Sequence, residues 1–133
     1  MERLLGQYSP YLYAILRIVA GFLFVCHGAQ KLFGLFGGLG PTGGTAPLFS
    51  MMGLAGVIEF FGGLCIMLGW LTGIAAFIAS GQMAAAYFMG HYPKGFWPIL
   101  NGGEPAVLFC FIFLYMASVG SGVWSLDRAL GKS

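Results

Sequence analysis

Residues 60–93 read FFGGLCIMLGWLTGIAAFIASGQMAAAYFMGHYP and contain no Asp, Glu, Lys or Arg. A membrane-spanning helix needs about 20 apolar residues, each advancing about 1.5 Å. These thirty-four residues are therefore long enough for two spans. The segment GWLTG at residues 69–73 supplies a tight turn near the middle. The stretch predicts a helical hairpin that crosses the membrane twice.

The overall composition also favours a membrane protein. Of the 133 residues, 59% are hydrophobic and only 8% are charged, whereas a soluble domain carries about 25% charged residues. The net charge is +2 and the six Lys and Arg residues are scattered, so no basic stripe for nucleic acid is present. We expect one integral membrane domain over residues 1–133.

Hydropathy and helix-ending residues place four spans. They run from about 11–33, 51–70, 71–90 and 105–120. Pro105 is favoured as a first helical residue, and Gly120 and Gly122 can adopt the left-handed conformation that ends a helix. A glycine-rich loop, residues 34–50, joins the first two spans, and residues 92–104 join the last two. The expected fold class is all-α, a four-helix transmembrane bundle.

The distribution of Lys and Arg predicts the orientation. Four spans put both termini on one side, with Arg3, Arg128 and Lys132, while Lys31 and Lys94 lie on the other. Because positive residues favour the cytoplasm, we expect both termini there and a multi-pass location in the plasma (inner) membrane. The first apolar segment is longer than the 7–15 residues of a signal-peptide core, so it is expected to be a retained span.

One face of the first span carries both charged and small residues. Arg17, Gly21, Phe24, Gly28 and Lys31 recur at steps of four and three, which keeps them on one side of a helix. Small residues allow helices to approach closely in lipid. This face is therefore expected to point into the bundle.

Glu59 is the carboxylate of the second span. Counting about 1.5 Å per residue from the outer ends places it level with Phe24, between Arg17 on the inner side and His27 and Lys31 on the outer side. An isolated charge in hydrocarbon is costly, so Glu59 is expected to pair with Arg17, His27 or Lys31. An ion pair of Arg17 with Glu59 would fix the register of the two helices.

More polar residues lie toward the outer end of the bundle. The turn at residues 101–103 sets Glu104 at the start of the fourth span, where the helix dipole favours a carboxylate. Since histidine changes its protonation between pH 5 and 8, binding through His27 should depend on pH in that range. The candidate ligand-binding residues are His27, Lys31, Glu59, Gln82, His91, Asn101 and Glu104.

A purely structural interpretation stays open for several of these residues. Lys31 can extend its amine to the head groups, Gln82 can hold helices together, and the aromatic residues of the 92–104 loop can form an interfacial belt. In that case the bundle would have an interior ion pair and no ligand.

The sequence offers no redox or metal centre of its own. Cys26, Cys65 and Cys110 form no C-x-x-C pair, and buried thiols usually act as small apolar residues. His27 and His91 differ in predicted depth, which disfavours a shared haem. We therefore expect no intrinsic cofactor and no metal, and no catalytic residue can be named. Electron transfer would require a bound quinone or a partner subunit.

The polar residues inside the spans give the chain a family resemblance. The matching stretches are Leu16-Arg17-Ile18, His27-Gly28-Ala29-Gln30-Lys31-Leu32-Phe33-Gly34, Gly56-Val57-Ile58-Glu59 with Gly62-Gly63, Phe96-Trp97-Pro98, Asn101-Gly102-Gly103-Glu104 and Trp124-Ser125-Leu126-Asp127. With these stretches the chain resembles the DoxX-like membrane proteins. The resemblance implies a four-helix membrane bundle. It also implies a link to thiosulfate:quinone oxidoreductase and to thiol or quinone stress, while distant relatives look like membrane chaperones. It brings no agreed catalytic residues.

Three functional hypotheses follow. The first is a subunit of a membrane oxidoreductase system that binds a quinone or another lipid-like amphiphile. The second is a non-enzymatic assembly or chaperone subunit, whose polar interior only fixes the bundle. The third is a transporter, for which a chain of this size would have to form a homo-oligomer to build inverted repeats.

Overall fold

The computed structural model of the chain describes residues 1–132. Its long helices are α1 (Glu2–Phe33), α2 (Met51–Leu68), α3 (Thr72–Lys94) and α4 (Glu104–Val119). A short helix, Pro98–Asn101, precedes α4, and another, Leu126–Ala129, follows it. Within these residues the only β pairing is an isolated bridge between Leu39 and Gly44. The expected all-α, four-helix bundle is confirmed.

Three of the four helices are long and apolar enough to cross a membrane. The fourth, α4, has 16 residues and so extends about 24 Å. The outward side chains are large and apolar: Phe61, Ile74, Phe77 and Phe111 are all exposed. Because such side chains favour hydrocarbon over water, they are expected to face the lipid.

The helix boundaries agree with the predicted spans to within a few residues, except at the start of α1. That helix begins at Glu2 rather than near residue 11 and continues through a 3-10 turn, Gly6–Tyr8. Gly69 ends α2 with a φ of 72°, and Gly120 ends α4 with a φ of 89°. The left-handed region is open to glycine at low cost, which is why the helices stop at these positions.

The two termini lie at one end of the bundle. The rings of Tyr11 and Trp124 are 5.3 Å apart between centroids, and the amide of Asp127 donates to the carbonyl of Gly69 at 3.0 Å. The turn between α2 and α3 therefore lies at this terminal end. The end of α1 and the start of α2 lie at the opposite end of the bundle.

Glycines bring the backbones of α1 and α2 into contact. A Cβ at Gly28 would lie 2.3 Å from the backbone nitrogen of Phe60, and a Cβ at Gly63 would lie 2.8 Å from that of Val25. Gly28 and Gly63 are both buried. The face of α1 predicted from its small residues is thus the face that packs on α2, by the close approach typical of membrane helices.

The remaining core is apolar and lies among all four helices. Phe24 of α1 packs against Phe113 of α4 with ring centroids 4.8 Å apart. Ile66, Ala76 and Phe113 have no exposed surface.

Adding a methyl group at Gly63 should destabilise the bundle, whereas the same change at Gly62 should not. A Cβ at Gly63 meets the backbone of α1, while a Cβ at Gly62 has nothing within 4 Å. Overpacking of this kind costs about 1–3 kcal/mol, and alanine favours helix more than glycine does. We expect Gly63→Ala to lower the unfolding temperature in detergent and Gly62→Ala to leave it equal or higher. Equal losses in both variants would contradict the close α1–α2 contact.

Candidate ligand-binding site

A wide helical turn carries the buried carboxylate of α2. Residues Ile58–Gly62 form a π turn inside an otherwise α-helical span. Glu59 lies in this turn and is only 1% exposed. A second π turn, Tyr87–His91, occurs in α3. π turns are rare overall, and those that occur often lie at functional sites. Because two neighbouring helices each contain one, the space between these helices is a candidate site.

Glu59 has a partner on each neighbouring helix. Lys31 of α1 places its Nζ 2.6 Å from Glu59 Oε1, and Gln82 of α3 donates from Nε2 to Glu59 Oε2 at 3.1 Å. The Lys31 side chain is 15% exposed. Both carboxylate oxygens therefore receive a hydrogen bond, which is the usual condition for retaining a charge in an apolar interior.

The expected ion pair of Arg17 with Glu59 is wrong. Within residues 1–132 the carboxylate pairs with Lys31, which is fourteen residues from Arg17 and so about 21 Å farther along α1. No arginine side chain can bridge that distance. The depth estimate was also wrong by about one helical turn, because the backbone beside Glu59 abuts Gly28 rather than Phe24.

Arg17 serves a different purpose near the terminal end. Its guanidinium is fully buried and donates to the carbonyl oxygens of Ile66 at 3.0 Å, Trp124 at 2.7 Å and Val123 at 3.3 Å, and to that of Ser121. These acceptors lie near the end of α2 and in the turn after α4, where helix carbonyls lack partners within the helix. Arg17 therefore ties three segments together.

Asp127 completes this terminal cluster and was not identified as a site residue from the sequence. Its Oδ2 accepts from the hydroxyl of Ser121 at 2.7 Å and from the amide of Leu71 at 3.0 Å. The same Ser121 hydroxyl lies 2.8 Å from the Thr72 hydroxyl oxygen. Asp127 thus accepts a hydrogen bond from the backbone amide just before α3. The sequence indicated Asp127 only as part of the matching stretch at residues 124–127.

A cavity of about 670 Å³ lies between the helices at the end opposite the termini. Ligand pockets for small molecules usually measure about 300–1,000 Å³. Its walls are mostly apolar and come from all four helices. The lining residues are Phe24, His27, Lys31, Met51, Met52, Leu54, Ala55, Ile58, Glu59, Ile78, Gln82, Met83, Ala85, Ala86, Met89, Gly90, His91, Gly102, Pro105, Ala106 and Phe109.

Five of the residues singled out from the sequence meet in this cavity wall: His27, Lys31, Glu59, Gln82 and His91. Lys31, Glu59 and Gln82 form its polar cluster through their mutual hydrogen bonds. The ring of His91 contacts the Asn101 carbonyl at 3.1 Å. Several polar groups thus converge in an otherwise apolar space, as expected for a binding site.

The structure does not place Asn101 or Glu104 in the cavity wall. Asn101 is buried and holds the loop before α4, donating to the Gly95 carbonyl at 2.8 Å and accepting from the Gly103 amide at 2.8 Å. Glu104 is exposed at the start of α4. The depth of each residue was predicted, but the direction of its side chain depends on how the loop folds back.

Four methionines are among the cavity residues that the sequence did not single out. Met51, Met52, Met83 and Met89 all line it. Met is unbranched and adaptable, and it is common at surfaces that bind apolar ligands. Their positions in three different stretches of sequence gave no pattern by which to group them.

The described part of the chain holds no group of three or more His, Cys, Asp and Glu residues that could bind a metal ion. Cys26, Cys65 and Cys110 are free thiols and half-buried.

Comparison with known proteins shows relatives of similar length. The chain is 42% identical to an uncharacterized protein of Haemophilus influenzae over 96% of this chain and 97% of that protein. It is 30% identical to an uncharacterized membrane protein of Mycobacterium tuberculosis over 98% and 88% of the two chains. It is 28% identical to the inner membrane protein YqjF of Escherichia coli over 89% and 91%. No solved structure matches the chain.

The chain belongs to the DoxX family. The sequence model of that family matches residues 12–92, which include most of α1, all of α2 and most of α3, and thus Lys31, Glu59 and Gln82. The matched range stops before the stretches near residues 96–104 and 124–127. The protein is therefore a DoxX-type membrane protein.

Removing Lys31 should destabilise the bundle more than removing both members of its ion pair. Lys31→Met leaves the Glu59 charge without its cation, and breaking a buried pair costs about 3–5 kcal/mol. Lys31→Met with Glu59→Leu removes both charges and should recover much of the loss. Thermal unfolding of the two single variants and the double variant in detergent measures the coupling. Additive losses would show that the two side chains do not interact.

Proposed function

We propose that the cavity binds a quinone-like amphiphile and that the protein serves a membrane oxidoreductase system as its ligand-binding subunit. The observation that carries this proposal is the 670 Å³ cavity with the Lys31–Glu59–Gln82 cluster in its wall. A quinone has a polar ring and an apolar tail, so it matches an apolar cavity within lipid that contains a few polar groups.

The residues present fit such a head group. The Lys31 ammonium has three N–H donors, of which Glu59 takes one. A remaining donor can bind a quinone carbonyl. His27 is exposed on the same wall and can donate or accept a hydrogen bond at a ring nitrogen. When bound, a quinone supplies electron-accepting chemistry, while these side chains bind and orient its oxygen atoms.

The walls of the cavity suit a ligand that arrives from the membrane. Met51, Met52 and Met89 line it and are also among the exposed large side chains. An amphiphile can therefore keep its tail beside these residues while its head group reaches the polar cluster. The electron donor would be a partner oxidoreductase subunit.

The alternative is a non-enzymatic assembly or chaperone subunit. One observation favours it: both oxygens of Glu59 already have partners within the chain, as a purely structural cluster requires. A partner protein recovered in fixed ratio, with no small molecule in the cavity, would favour this alternative.

A large side chain placed in the cavity should abolish quinone binding. Ala55 and Ala84 are both half-buried within spans, but only Ala55 lines the cavity. We expect decylubiquinone to bind the parent and Ala84→Phe in nanodiscs with equal affinity, and to bind Ala55→Phe at least about tenfold more weakly, a loss of about 1.4 kcal/mol.

Equilibrium dialysis against empty nanodiscs measures this binding, and thermal unfolding shows that each variant is folded. Absence of saturable binding by the parent would overturn the proposed function. Equal binding by all three proteins would show that decylubiquinone binds outside this cavity.

We also propose that the protein lies in the plasma (inner) membrane with both termini in the cytoplasm. Arg3, Arg128 and Lys132 lie near the termini and Lys31 and Lys94 near the cavity end, and the side with more positive residues favours the cytoplasm. A reporter active only in the cytoplasm should give signal when fused to the C-terminus and none when inserted after Gly95. The reverse pattern would place the cavity on the cytoplasmic side.

A further inference from the structure

The amide of Gln82 has one unused hydrogen-bonding group beside the cavity. Its Nε2 donates to Glu59 Oε2 at 3.1 Å, but its Oε1 is buried and has no hydrogen-bond partner within residues 1–132. Buried polar atoms nearly always have partners, so each exception calls for an explanation. Because an amide oxygen only accepts hydrogen bonds, the missing partner is a donor.

The same wall also has donors to spare. Lys31 Nζ uses one N–H for Glu59 and keeps two, and its side chain is partly exposed. Gln82 and Lys31 both line the cavity, so the Gln82 acceptor, although covered by protein atoms, and the Lys31 donors lie at the same polar end. A hydroxyl group is both a donor and an acceptor, so a single hydroxyl can satisfy both residues.

The charges in the cavity wall select against charged ligands. Lys31 and Glu59 are the only Lys, Arg, Asp or Glu residues among those that line it, and they neutralise each other across 2.6 Å. An anion would have to compete with Glu59 for Lys31, and a cation would have to compete with Lys31 for Glu59. An uncharged head group avoids both costs.

Aromatic side chains complete the wall. Phe24 and Phe109 both line the cavity, with ring centroids 6.0 Å apart. A flat aromatic ring can pack against such side chains with an edge or a face.

We infer that the preferred ligand is the hydroxyl-bearing form of the amphiphile, an uncharged phenol or quinol whose O–H donates to Gln82 Oε1. The inference rests on the proposed function and adds to it: the cavity distinguishes the reduced, hydroxylated head group from one that can only accept hydrogen bonds.

Three probes with one scaffold test the inference. These are para-decylphenol, para-decylanisole, in which a methyl group replaces the hydroxyl hydrogen, and para-decylbenzoate, which is an anion. Dialysis in nanodiscs, with empty nanodiscs as the baseline, gives the affinity of each. We expect the parent to bind the phenol about tenfold more tightly than the anisole, because the phenol alone pairs the buried acceptor. The benzoate should bind more weakly than the phenol.

Variants test whether Gln82 causes the preference for the phenol over the anisole. Gln82→Met removes the amide at similar length and should abolish the difference between phenol and anisole, whereas Gln7→Met, at an exposed position near the N-terminus, should preserve it. Thermal unfolding shows whether each variant is folded. Gln82→Asn, which withdraws the amide by one methylene, is the second variant and should reduce the difference.

The possible outcomes separate this inference from the proposed function. Equal affinity of the parent for phenol and anisole, with decylubiquinone still bound, would overturn the inference and leave a water molecule as the partner of Gln82. A preference that survives Gln82→Met in a folded protein would overturn the role of Gln82. Tight binding of the benzoate would overturn the requirement for a neutral head group. Absence of binding by all three probes and by decylubiquinone would overturn the proposed function as well, whereas absence of binding by the three probes alone would overturn only the inference.

Discussion

The carboxylate of Glu59 lies almost fully buried in a bundle of apolar helices, where a charge requires a counter-charge and hydrogen bonds. Lys31 and Gln82 meet this requirement from the two neighbouring helices. The Lys31 side chain can reach the carboxylate only if α1 lies close to α2. The glycines at the contact, among them Gly28, allow that approach. The close approach of α1 to α2 beside the Glu59 charge thus depends on glycine residues.

The two ends of the bundle use their polar residues differently. At the terminal end, Arg17 and Asp127 bind backbone groups and hydroxyls that belong to chain ends and turns. Their contacts hold segments together, although Asp127 Oδ1 has no hydrogen-bond partner within residues 1–132. At the opposite end, Lys31 and Gln82 border a cavity, and the Gln82 carbonyl oxygen has no partner in the described part of the chain. Among the described residues, each end thus has one unpaired buried oxygen, but of Asp127 and Gln82 only Gln82 lines the cavity.

Much of the fold could be predicted from sequence because long uncharged stretches have few other structures available in a membrane. The spans, the inward face of α1 and the interior position of Glu59 all follow from helical periodicity and from the cost of a charge in lipid. The choice among Arg17, His27 and Lys31 as the partner of Glu59 did not follow. Relative depth was counted from estimated span ends, and an error of one turn exchanges Phe24 for Gly28 as its neighbour.

The candidate site was predicted in part. His27, Lys31, Glu59, Gln82 and His91 could be grouped because each is polar and lies toward the same end of the bundle. The four methionines could not be grouped, since apolar side chains in a membrane span give no signal that separates a cavity wall from a lipid-facing surface. Glu104 was misplaced because its direction depends on a loop whose conformation is set by the buried Asn101.

The wide turn at Ile58–Gly62 gives α2 one residue more than a regular helix of the same rise would hold. An α-helix turns about 100° per residue, so loss of a single residue from this turn would rotate one half of the span against the other by roughly that angle. Either Glu59 or Gly63 would then leave the face that meets α1. The length of this segment is therefore constrained as strictly as its composition, and a one-residue deletion there should be less well tolerated than most single substitutions.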